Sequence, residues 1–279
     1  MNVVEQDFPL TETSDISGGY LLEVDGFRDG NCFATSYYGV PIRIHRPDDD
    51  EIVAKQTAWI NDYVNQFEWA LISGDYTDEY KGYRRFVDST SLANWYIATE
   101  VSANVDGFYS TYFYKDQNDP LLYWGPLWDY DIAYNNDYRT DRGGSNTTRQ
   151  LMVNVAYNGS KVWVQRMWTD PWFARLVYRR YQKALSDGLV DFLHQKIDSV
   201  AALLDASQKL NYRKWGIDTR MYHEIVLYSS YKEYVNDLKQ FVSDHTEFLS
   251  SAFAAKQPSG PVTPDTPSAA TAPFVAENY

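Results

Sequence analysis

The stretch NVDGFYSTYFYKDQNDPLLYWGPLWDYD, residues Asn104 to Asp131, places an acid just outside each arm of what reads as a β-hairpin. Phe108 to Tyr114 alternates apolar and polar positions, the period of a strand with one buried face. Lys115-Asp116-Gln117-Asn118-Asp119-Pro120 is turn chemistry, and Leu121 to Trp128 forms a second, apolar arm. A register centred between Gln117 and Asn118 sets Asp106 opposite Asp129, with Cα atoms about 5 Å apart if pairing reaches that far. Two carboxylates so placed repel each other, so either one carries a proton or a cation lies beside them. Asp131 lies two residues beyond Asp129 and shares its face on extended backbone. Clustered acids without histidine or thiolate suit a hard cation such as Mg²⁺ or Mn²⁺. The plainer alternative is that these acids only cap and close a solvated turn.

Upstream of the hairpin, residues 15 to 46 read as β structure. GGYLLEVDGF is a short apolar strand punctuated by glycine, and GVPIRIHRP alternates Val40, Ile42 and Ile44 with Arg43 and His45. The run from Asp48 to Ser73 reads as an amphipathic helix. Its start is crowded by Asp48, Asp49, Asp50 and Glu51, where the helix dipole favours acids. Its apolar face holds Trp59, Ile60, Tyr63, Val64, Phe67 and Leu71. Asp88 or Ser89 can cap a second helix with Leu92, Trp95, Tyr96 and Thr99, and that helix delivers the chain to Asn104.

Downstream, residues 170 to 254 hold several helices, with breaks near Asp187-Gly188 and over Asn211 to Thr219. Phe192, Ile197, Val200, Leu203 and Leu204 recur at helical spacing, as do Tyr234, Leu238, Phe241 and Phe248. Both stripes are expected to be core. Residues 1–255 therefore read as one domain. Residues 256–279, rich in Pro, Ser, Thr and Ala, read as a disordered tail that adds nothing to stability.

Composition narrows the function. The net charge is −13 and no basic run occurs, which argues against a nucleic-acid binder held by phosphate contacts. No stretch approaches the ~20 apolar residues of a membrane span, and the first residues lack the pattern of a signal peptide. The single cysteine, Cys32, excludes a disulfide framework and reads as a buried small hydrophobe. His45, His194, His223 and His245 are far apart, without metal-ligand spacing, and read as structural or surface residues.

An acid, a hairpin and a second acid also make up the spacing of phosphoryl-transfer sites. There a loop aspartate accepts the proton of the substrate hydroxyl, and a second aspartate holds the metal on the phosphates. Asp106 would be the first and Asp129 the second, although the HRD and DFG triplets are absent. The blocks NWYIATEVSANVDGFYSTYFYKD and LYWGPLWDYDIAYNN, with GGYLLEVD upstream and YRKWG near the end, resemble the spore-coat protein H (CotH) kinase family over about residues 15 to 255. The resemblance implies an α+β, atypical protein-kinase-like fold. A small β-rich part bearing the catalytic hairpin would pack on a mostly helical C-terminal part. It implies ATP with Mg²⁺ or Mn²⁺, and a protein substrate offering serine acceptors at the cell surface or in a coat. Carried over by position, it makes Asp106 the catalytic acid and Asp129 the metal ligand, with Asp131 and Asn104 as supporting metal candidates. Glu100 is assigned to a structural hydrogen bond.

In the family a substantial N-terminal portion precedes the GGYLLE strand and supplies phosphate contacts. Here that strand comes early, no Gly-rich phosphate loop is present, and Arg43, Arg46 and Lys55 lack phosphate-binding context. The expectation is a kinase domain with its N-lobe largely missing, and with catalysis reduced or lost. Two rivals remain: a non-catalytic surface or scaffold protein that keeps the fold for binding, and a carbohydrate-active protein whose aromatics stack on sugars.

Overall fold

The computed structural model describes residues 10–138, 149–220 and 223–258. Strands β1 (Tyr20–Val24), β2 (Cys32–Ala34) and β3 (Pro41–Arg46) lead into helices α1 (Ala54–Ile72) and α2 (Ser89–Val101), and the hairpin β4 (Thr111–Lys115) and β5 (Leu122–Trp124) follows. All five strands join one antiparallel sheet in the order β2-β3-β1-β4-β5. The chain thus leaves the sheet through two helices and returns to lay β4 beside β1. Among the described residues the molecule is mixed α+β, with this sheet and eight α-helices.

Strand alternation sorts the sheet into two faces. Tyr20, Leu22, Val24, Ile42, Ile44, Phe113, Leu122 and Trp124 are buried on one, each contributing roughly 1.5–3 kcal/mol through burial. Glu23, His45, Tyr112, Tyr114 and Tyr123 stand half-buried on the other. Helix α1 covers the inner face with Ile60, Tyr63, Val64, Phe67 and Leu71, the stripe its periodicity predicts. Phe67 meets the rings of Trp124 and Trp163 edge-on, with centroids 5.9 and 5.2 Å away. Asp88 caps α2, accepting a hydrogen bond from the Ser91 amide at 2.7 Å.

The helical part comprises α3 (Met152–Val155), α4 (Lys161–Met167), α5 (Pro171–Ser186), α6 (Leu189–Leu203), α7 (Asp205–Lys214) and α8 (Tyr231–Ala255). Gly188 marks the break between α5 and α6 with φ 88°, a left-handed conformation suited to glycine. Asn211 lies inside α7, so the second break opens only after Lys214. The tail beyond residue 258 lies outside the described residues.

Five expectations need correction. The hairpin pairs Phe113 with Trp124, Tyr114 with Tyr123 and Lys115 with Leu122, so it is centred between Asn118 and Asp119. Asn118 takes a left-handed φ of 58°, and the Asp119 carboxylate accepts the Leu121 amide, which places the bend one residue later. The arms are also shorter than the apolar pattern. Gly125 is left-handed and Pro126 has no N–H to donate, so the ladder stops well before Asp106 and Asp129.

Helix α1 begins only at Ala54, leaving Asp48 to Glu51 outside its first turn. Asp48 and Asp49 instead pair with Arg46 and Arg43. The α6 stripe is not core either: Phe192, Val200, Leu203 and Leu204 are exposed, Leu203 by 80%. Helix α6 packs through Leu189 and Leu193, because a stripe identifies an apolar face but not which neighbour covers it. Cys32 is only half-buried, its thiol lying 3.4 Å from the Arg28 carbonyl on an edge strand. The histidines behave as expected: His45, His194 and His245 each bond a neighbouring carboxylate or carbonyl.

Candidate active site

Helix α2 ends in a turn that sets the first acid. Ala103 is left-handed at φ 50°, and the Asn104 amide closes back on the Thr99 carbonyl at 3.0 Å. Asn104 is fully buried, and its side chain works in two directions. Its Oδ1 accepts the Asp106 backbone N–H at 3.0 Å, a local Asx turn, while its Nδ2 donates to the Asp129 carbonyl at 3.1 Å. A Cβ at Gly107 would stand 3.0 Å from Thr99 and 3.2 Å from Asn104, so glycine lets the chain press against α2. Asp106 is therefore half-buried in a turn, not at the end of a ladder.

The second and third acids are set by the residue between them. Tyr130 is buried enough that its phenol pKa is pushed up to about 12, mainly by burial. Its hydroxyl meets Thr99 Oγ1 at 2.9 Å. With Tyr130 held inward, Asp129 and Asp131 are exposed on either side of it. The backbone here is not extended, because Asp129 has φ 60°, a left-handed conformation that aspartate tolerates better than most residues. Asn136 Nδ2 donates to the Asp131 carbonyl at 2.6 Å, and the Tyr134 amide donates to Ser102 at 2.5 Å, tying this loop to the end of α2.

The electrostatics brings the three acids together. The Asp129 pKa is raised, first by burial, then by a hydrogen bond to Asp131 and its charge, then by the charge of Asp106, with the Ser110 hydroxyl opposing. Asp106 thus lies near enough for its charge to be felt at Asp129, although the register that suggested the pairing was wrong. Loop hydrogen bonds produce the proximity, not strand pairing.

Glu100 belongs to the support beneath the site. It is fully buried and accepts the Met152 and Val153 amides at 2.7 and 3.0 Å. Burial pushes its pKa up to about 7, against the opposing donors Tyr96, Val153 and Met152. His245 Nε2 lies 2.7 Å from the Glu100 carbonyl, so α8 braces the same helix end. These contacts match the structural role expected of Glu100.

Among the described residues, no group of three or more His, Cys, Asp or Glu is gathered closely enough to hold a metal ion by itself. The donors present still fit a hard cation of the Mg²⁺ type. Asp129 and Asp131 offer two exposed carboxylates on one loop, and Mg²⁺ often takes only one or two carboxylates, completing its shell with phosphate oxygens and water. Arg43 is paired with Asp29 and Asp49, and Arg46 with Asp48, on β3, two strands away from the β4–β5 hairpin. Sequence reasoning missed Tyr130, Thr99, Asn136 and Ser110. The N-x-D spacing of Asn104 and Asp106 was the available sign of an Asx turn.

A search of curated proteins gave no match. The family model described as CotH kinase protein matches residues 2–249, most of the chain, and spans all three acids and both asparagines. The chain belongs to the CotH kinase protein family.

Proposed function

We propose that the chain catalyses ATP-dependent phosphoryl transfer to serine hydroxyls of a protein substrate, on an atypical kinase-like fold. Family membership supports the reaction class. The observation that carries the assignment of residues is the buried Asn104 amide bonded to both Asp106 and Asp129, which keeps an acceptor-side acid beside a metal-side acid. Asp106 accepts the proton of the serine hydroxyl as the new Oγ–P bond forms, and the bond from the γ-phosphorus to the bridging oxygen breaks to release ADP. Asp129 and Asp131 are the residues that would hold Mg²⁺ or Mn²⁺, which when bound neutralises phosphate charge. Acceptor serines on a cell-surface or coat protein are the substrate class that the family suggests.

The alternative is that the fold serves binding alone. The exposed apolar side chains of α6, α7 and the residue that follows α7, among them Phe192, Leu203, Leu210 and Trp215, favour it. Radiolabelled phosphoryl transfer separates the two readings. Metal-dependent transfer to serine that Asp106→Asn abolishes supports the kinase. Absence of transfer to any serine-rich protein or peptide, from protein that is folded, supports the scaffold.

A further inference from the structure

We infer that Asn104 is a positioning residue that holds Asp106 and Asp129 in one fixed relation, and that its amide is committed to backbone rather than to a metal ion. This rests on the kinase reading above. The hydrogen-bonding groups of the side chain account for the role. A primary amide carries an acceptor and a donor on one rigid plane. Here the acceptor holds the Asp106 N–H at 3.0 Å and the donor holds the Asp129 carbonyl at 3.1 Å. The two bonds join positions on opposite sides of the β4–β5 hairpin. Asn104 has no solvent exposure, and both ends of its side-chain amide are bonded, so the plane cannot swing freely.

Both target residues need such support. Asp129 is held at φ 60°, outside the regions most side chains favour, and its carbonyl finds a partner in Asn104. Asp106 follows the turn that Asn104 itself closes. Rotation of the Asn104 plane would therefore move both carboxylates together, and loss of either bond would release one of them. The one Asn104 side chain is bonded to the backbone of both acids.

The substitutions separate the two bonds. In Asn104→Ser the hydroxyl can still accept from the Asp106 N–H, because Ser makes the same local turn more weakly, but it cannot reach the Asp129 carbonyl. In Asn104→Ala both bonds are lost. Three quantities are measured on the full chain: hydrogen exchange at the Asp106 amide without ligand, affinity for ATP with Mn²⁺, and melting temperature. Val177→Ala, a fully buried site on α5, serves as a control for destabilisation alone.

The expected result is that Asn104→Ser keeps Asp106 protected yet loses about 10- to 100-fold in Mn²⁺-dependent affinity, as is usual when an outer-shell partner is removed. Asn104→Ala should lose both, and Val177→Ala neither. If wild type binds Mn²⁺–ATP and Asn104→Ser binds it equally well, the positioning role is overturned while the kinase reading stands. An affinity loss that Val177→Ala shares at equal melting temperature also overturns it. If wild-type protein binds no Mn²⁺–ATP, the kinase reading fails first and takes this inference with it.

Discussion

The hydroxyl of Tyr130 lies 2.9 Å from Thr99 Oγ1, and that contact decides which way the neighbouring acids face. Tyr130 is the inward residue of Asp129-Tyr130-Asp131, so both aspartates are turned out. Tyr130→Phe removes the hydroxyl and leaves the Thr99 hydroxyl, itself buried, bonded only to the Trp95 carbonyl. The expected loss is about 1 kcal/mol, with weakened Mn²⁺-dependent nucleotide affinity. Chemical denaturation and calorimetry on the variant check both. Unchanged affinity would show that Tyr130 does not orient the pair.

Glu100 makes stability depend on pH. Its folded pKa, raised to about 7 from 4.5, lies above its unfolded value, so the folded state holds the proton more tightly. The unfolded chain binds fewer protons between those values, and stability therefore falls as pH rises from about 4.5 to about 7. The groups facing Glu100 are the Tyr96 phenol, His245 at its carbonyl and the more distant Lys256. The change amounts to at most about 3 kcal/mol. Glu100→Gln should flatten the melting-temperature slope over this window, although it is less stable throughout because the NH₂ that replaces one oxygen cannot accept the Met152 or Val153 amide. An unchanged slope would remove Glu100 as its source.

Asp170 is the clearest stability anchor away from the site. It is 1% exposed, caps α5 at the Trp172 amide, accepts both the Nε and Nη2 of Arg84, and receives the Tyr83 hydroxyl. Asp170→Ala leaves the half-buried Arg84 guanidinium, the Tyr83 hydroxyl and the start of α5 without their partner and should cost about 3 kcal/mol. The melting temperature should fall by on the order of 10 °C. A fall of only a degree or two in a thermal scan would contradict this account of the anchor.

Leu203→Glu tests the correction made to α6. At 80% exposure the leucine buries almost nothing, so the substitution should stay within about ±0.5 kcal/mol. A large loss in chemical denaturation would mean that this face is covered in solution.

These residues also show what the sequence made legible. Alternation in GGYLLEVD and GVPIRIHRP marked β1 and β3 because one face of each is buried. Asp88 marked the start of α2 because a cap is a local event. The hairpin register was not legible, since it depends on the left-handed Asn118 and on the stop at Gly125-Pro126. The α6 stripe misled because burial depends on neighbours far away in the chain. The acids stood out as candidates by type and spacing. The bonds of the Asn104 side chain were not legible, because a contact to a carbonyl 25 positions away leaves no periodic trace.

The central claim is that Asp106 and Asp129 hold separate roles within one phosphoryl-transfer site. Calorimetric titration of ATP into wild type, Asp129→Asn and Asp106→Asn, each with and without Mn²⁺, tests it most directly. The account predicts binding that requires the metal in wild type, loss of that metal-dependent binding in Asp129→Asn, and wild-type metal-dependent binding in Asp106→Asn, whose carboxylate serves the acceptor. Binding that is indifferent to Mn²⁺ in wild type, or lost equally in both variants, would contradict it.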